Sequence, residues 1–160
     1  MHLAQLNISR MLAPTIEHPI MADFVAQLAT INALAEQSEG FIWRLTGEGN
    51  DATSLRPFDD DRIIVNMSVW QSLEHLQAFV FRSMHTAVMK NRGKWFEKPK
   101  ESMTVLWWVP TGHQPTIEEA RARLEHLNAF GPSPRAFTFR NTWPATDLAP
   151  LDESSGRTFS

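Results

Sequence analysis

Residues 66–96, NMSVWQSLEHLQAFVFRSMHTAVMKNRGKWF, join a strand with a polar face to a helix that carries two stripes. A helix that only covers a sheet needs one apolar stripe. Counted at about 100° per residue, Leu73, Leu76, Val80, Met84 and Val88 share one side, as a core-facing surface should. Phe81, His85, Met89 and Arg92 form a second stripe beside it, which supplies a base or ligand, a cation and two apolar surfaces. Such a stripe belongs beside a pocket between helix and sheet.

Immediately upstream, Ile63 to Trp70 alternates as a strand, with Ile63, Val65, Met67 and Val69 on one face and Ile64, Asn66, Ser68 and Trp70 on the other. Asn66 and Ser68 are polar in an otherwise apolar strand, and a buried polar side chain must find a partner, either a ligand or a neighbouring loop. Ser72 is the predicted N-cap of the helix, which runs toward Asn91 before Gly93 interrupts it. Further out, His2 to Ile8 alternates as a first strand, and Phe24, Leu28, Ile31 and Ala35 keep helical spacing from Pro19 until Gly40. Phe41 to Thr46 reads as strand two and Met103 to Val109 as strand four. Thr116 and Glu119 have capping-box spacing ahead of a last helix ended by Gly131-Pro132. The loop from Gly47 to Asp61 is polar, and its two glycines lack the third that a dinucleotide fingerprint requires. The order βαββαβ plus a terminal helix is that of an α+β, ferredoxin-like antiparallel sheet with two helices on one face. Residues 1–140 form the predicted domain, and 141–160, poor in periodicity, an extended or disordered tail.

Composition narrows the function classes. The 160-residue chain carries a formal charge of -3 with its basic residues scattered, which argues against nucleic acid. It has no cysteine, hence no disulfide, thiolate metal site or cysteine nucleophile, and no tyrosine to act as a phenolic acid. No stretch approaches the ~20 apolar residues of a membrane span, and no signal-peptide pattern opens the chain, so the expectation is a cytoplasmic protein with no membrane partner. The six histidines show no HExxH or comparable spacing, so no non-haem metal site is expected. His75 and His126 lie off their helices' core stripes and are expected in solvent. Of the six tryptophans, Trp70 and Trp107 are assigned to a pocket and the others to core and interface.

The phrases LAQLNI, INALAEQSEGFIWRL, VWQSLEHLQAFVFRSMHTAVMKNRGKWF and LWWVPTGHQPTIEEARARLEHL closely resemble a bacterial family known as domain of unknown function 3291. The resemblance spans Met1 to Phe139. That family falls in the dimeric α/β-barrel superfamily, which includes cofactor-free monooxygenases of antibiotic biosynthesis, haem enzymes related to spheroidene monooxygenase, chlorite dismutase-like proteins and non-catalytic members. The resemblance therefore implies a homodimer, and the large apolar residues on both faces of the strands argue likewise for a second sheet from a partner copy. Three functions follow as alternatives. In the first, a monooxygenase-like enzyme takes a hydrophobic or aromatic substrate, with His85 as base, Asn66 and Arg92 stabilising an oxyanion, and Phe81, Met89, Trp70 and Trp107 lining the site. In the second, haem is bound with His85 as axial ligand; in the third, the same pocket holds a ligand without catalysis, and His85 is an edge histidine bonded to backbone.

Overall fold

A computed structural model describes residues 1–47, 53, 55, 58–99 and 103–145. Strand β1 (His2–Arg10) lies in the middle of a four-stranded antiparallel sheet. It pairs on one side with β3 (Ile63–Trp70), from Leu3 opposite Trp70 to Arg10 opposite Ile63. On the other side it pairs with β4 (Thr104–Val109), and β2 (Phe41–Arg44) adds to the outer edge of β3, giving the order β2-β3-β1-β4. This is the ferredoxin-like arrangement, with β1 and β3 as the two central strands.

Helices α1 (Ala22–Glu36) and α2 (Leu73–Ser83) cover one face of the sheet, and α4 (Ile117–Phe130) covers the other. On the first face Phe24 of α1 packs with Ile64, Trp95 and Phe96, while Ala35 and Leu76 pack with Leu3, Trp70, Leu106 and Trp108. On the second, Ala120, Leu124 and Leu127 of α4 pack on Ala4, Leu6, Val65, Met67, Val69, Val105 and Trp107. Each Val, Leu, Ile, Phe or Met among them taken fully out of water contributes about 1.5–3 kcal/mol. The polar face of β3 therefore looks toward α1 and α2. The outer face, which the sequence assigned to a partner sheet, is packed by α4 of the same chain.

Two local features orient the helices. Ser72 Oγ accepts the His75 N–H at 3.1 Å and caps α2, and Thr116 Oγ1 does the same for Glu119 at the start of α4. Gly40, between α1 and β2, has φ +85°, and a Cβ there would lie 2.2 Å from Cγ of His75. Only glycine lets the turn pass that close. His75 is consequently half-buried rather than solvated, and so is His126, whose ring lies tilted against Phe130.

Helix α2 ends sooner than the periodicity predicts. After Ser83 a turn intervenes, followed by the short α3 (Ala87–Lys90) and a 3-10 turn over Arg92–Lys94. Ser83 Oγ donates to the Val80 carbonyl and Thr86 Oγ1 to the Ser83 carbonyl, so both hydroxyls offer the backbone an alternative to the helix where it breaks. At the other end of the chain, the first part of the expected tail is structured. Trp143 packs against Phe137, and its carbonyl accepts the Trp108 indole N–H at 2.8 Å. The rest of that tail, Leu148 included, lies outside the described residues, as does most of the polar loop between Gly47 and Phe58.

Candidate functional site: a cavity between the sheet and its helices

A cavity of about 670 Å³ lies between the sheet and α1 and α2, within the range of small-molecule sites. Its two walls differ. The floor is polar because the alternation of β1 directs Gln5, Asn7 and Ser9 to the same face as Asn66 and Ser68 of β3. Asn66, Asn7 and Thr104 are register partners and form a row across three strands. Asn7 Nδ2 donates to Thr104 Oγ1 at 2.7 Å, and Gln5 Nε2 donates to Asn66 Oδ1 and Ser68 Oγ, both at 2.8 Å. Gln5 thus takes the Asn66 carbonyl oxygen, and the Asn66 amide nitrogen, on an exposed side chain of the lining, has its two donors open to solvent or to a ligand. The opposite wall is largely apolar, built by Phe24, Leu28 and Ile31 at helical spacing on α1 and by Leu76, Phe79 and Val80 on α2, with two buried polar side chains among them, Asn32 of α1 and Ser83 of α2.

At one end of the cavity stands Arg92. Its guanidinium donates to Ser9 Oγ at 3.1 Å and lies 5.6 Å from the centre of the Phe96 ring, and burial lowers its pKa from the ordinary value. Arginine's ordinary pKa is high enough that the group stays charged. No described carboxylate pairs with it. Arg44, also on the lining, is buried and paired with Glu36 at 3.0 Å, and Arg140 lines the same cavity from an exposed position. Among the described lining residues there is no aspartate, glutamate, histidine or lysine.

Of the expected site residues, the structure brings Asn66, Met89 and Arg92 to the cavity. It does not bring the other four. His85 and Phe81 are exposed on the outer side, their rings 5.1 Å apart and edge-to-face, and neither lines the cavity. The wheel that joined them to Met89 and Arg92 holds only along a continuous helix, and the break after Ser83 redirects the chain. Trp70 is on the right face but lies fully buried beneath the lining, stacked on Phe79 with its indole N–H on Ser68 Oγ at 2.9 Å. Trp107 is on the opposite face, buried under α4, and donates to Glu119 at 2.9 Å; His113 bonds the same carboxylate. Gln5, Asn7, Ser9 and Thr104 are additions to the expected set. Their signal was present: polar residues at every second position of β1 match the polar positions of β3.

The family model for a domain of unknown function (DUF3291) matches residues 2–153. The chain belongs to the DUF3291 family. No curated protein matches it. Two solved structures resemble this DUF3291 protein at a low level. One is a protein of unknown function, NE2512 from Nitrosomonas europaea, with 13% identity over 72% of this chain and 93% of that one, and a TM-score of 0.45. The other is SnoaB, a cofactor-independent oxygenase from Streptomyces nogalater, with 17% identity over 74% of this chain and 98% of that one, and a TM-score of 0.42. Among the described residues of the DUF3291 protein, no group of three or more acidic or histidine side chains could hold a metal ion, and no helix is long and apolar enough to cross a membrane.

Proposed function

We propose that this DUF3291 protein binds a hydrophobic small molecule in the cavity between the sheet and helices α1 and α2. The observation that carries the reading is the cavity's division into a hydrogen-bonding floor and an apolar wall, the combination that fixes a ligand's orientation while removing its body from water. The non-catalytic alternative gains over the enzymatic ones. A monooxygenase-like reaction on an aromatic substrate keeps two of its three groups, the Asn66 amide and the Arg92 guanidinium, both suited to a developing oxyanion. It loses its base, since His85 stands outside and the described lining offers no other side chain that titrates near neutrality. Haem fits less well still, because no described histidine faces the cavity to serve as axial ligand.

Nile red titration tests the proposal. The dye should brighten and shift to the blue on binding, and Leu28→Trp, which pushes an indole into the cavity from α1, should weaken binding by about tenfold or more at nearly unchanged melting temperature. Equal dye binding by the two proteins would place the hydrophobic site elsewhere and remove the proposal.

A further inference from the structure

We infer that the ligand is a monoanion with an apolar body, a carboxylate whose head group is held by Arg92 beside the Asn66 amide. The inference rests on the cavity being a ligand site, and it adds the chemical class.

The first observation is the charge of the lining. Its described titratable residues are three arginines, and no acid accompanies them on the cavity surface. Arg44 is neutralised by Glu36. Arg140 is exposed, where water screens it. That leaves Arg92, half-buried, with a neutral serine hydroxyl and an aromatic face as its partners. Elsewhere Arg10 meets Asp60 and Glu97 and Arg121 meets Glu125, whereas Arg82 donates to the Ser38 hydroxyl and Arg123 to the Arg135 carbonyl, so Arg92 differs in facing the cavity. A guanidinium taken partly out of water without an anion is costly, and a bound anion would offset that cost.

The second observation is geometric. Ser9, which holds Arg92, is two residues along β1 from Asn7, roughly 7 Å at the usual rise. Asn7 is the register partner of Asn66, so the guanidinium and the amide donors border the same stretch of floor. Donors from both sides suit the two oxygens of a carboxylate, and a planar guanidinium matches them as a fork. Among the described lining residues Arg92 is the one half-buried cation with no described carboxylate beside it, and with neutral amides it balances one negative charge; a phosphate dianion would leave charge uncompensated. Phe24, Leu28 and Ile31 then receive the body.

The test is calorimetric titration of the full chain near neutral pH with two acids, dodecanoate and 2-naphthoate, and their uncharged analogues, dodecan-1-ol and 2-naphthalenemethanol. At least one acid should bind about tenfold or more tightly than its alcohol, and which acid does so separates an aliphatic from an aromatic body. Arg92→Met should cut that acid's affinity by roughly 10–100-fold and leave the alcohol within about threefold. Acid and alcohol binding alike to the wild-type protein would overturn the inference and leave the cavity reading standing. An acid preference unchanged in Arg92→Met would overturn it too, and so would a preference for neither because none of the four binds, which removes the cavity reading as well. The wild-type comparison decides the matter even if Arg92→Met does not fold.

Discussion

Arg92 and His85 are seven positions apart and face different surroundings. The guanidinium is held against Phe96 and Ser9, and the imidazole stands in solvent with its edge on Phe81, itself 66% exposed. His85→Ala should therefore change stability by no more than about 0.5 kcal/mol, the scale of an exposed substitution. It should leave dye binding in the cavity unaltered; a several-fold loss of binding in that variant would return His85 to the site. Asn66 was legible in the sequence as the one amide in an otherwise apolar strand; its side chain is exposed on the cavity lining, with its oxygen accepting from Gln5. Trp70 and Trp107 were not. An indole can be a pocket wall or a core block with the same neighbours in sequence, and here both are fully buried, each with its N–H satisfied by Ser68 or Glu119.

Among the elements, the strands and their alternation were readable to within a residue or two, and so was α4 with its Thr116 cap. Helical phase along residues 73–92 was readable only as far as Ser83. The run of Ser83, Met84, His85 and Thr86 keeps an apparent period while its two hydroxyls take backbone carbonyls, so the pattern continued past the point where the helix did. The beginning of the expected tail is likewise an element with a packing role. Truncation after Arg140 removes the Trp143 carbonyl and leaves the Trp108 indole donor without its partner in a nearly buried position. Such a loss should cost about 1–3 kcal/mol in urea unfolding. A midpoint equal to that of the full chain would mean that the Trp143 contact contributes nothing.

For the whole molecule, element order alone led to the ferredoxin-like sheet, because βαββαβ with unknotted connections leaves few arrangements. The destination of the terminal helix did not follow from order. Apolar residues on both faces of the strands were a true signal, but a signal only that both faces are covered, and α4 of the same chain packs on the second. Light scattering at micromolar concentration should thus give a mass near 18.2 kDa. Twice that mass would mean that a surface other than the covered sheet face pairs, or that α4 moves aside.

The two unlike walls of the cavity also bear on how occupancy would register as heat. Water on Gln5, Asn7 and Asn66 would have hydrogen-bond partners there, so the part of a head group that replaces it, away from Arg92, exchanges like for like with little net gain. Water against Phe24, Leu28 and Ile31 has none, and its release into bulk carries a negative heat-capacity change. Tightness of binding would then scale with the length of the ligand's apolar body, and the choice among ligands of equal length would be made at the floor.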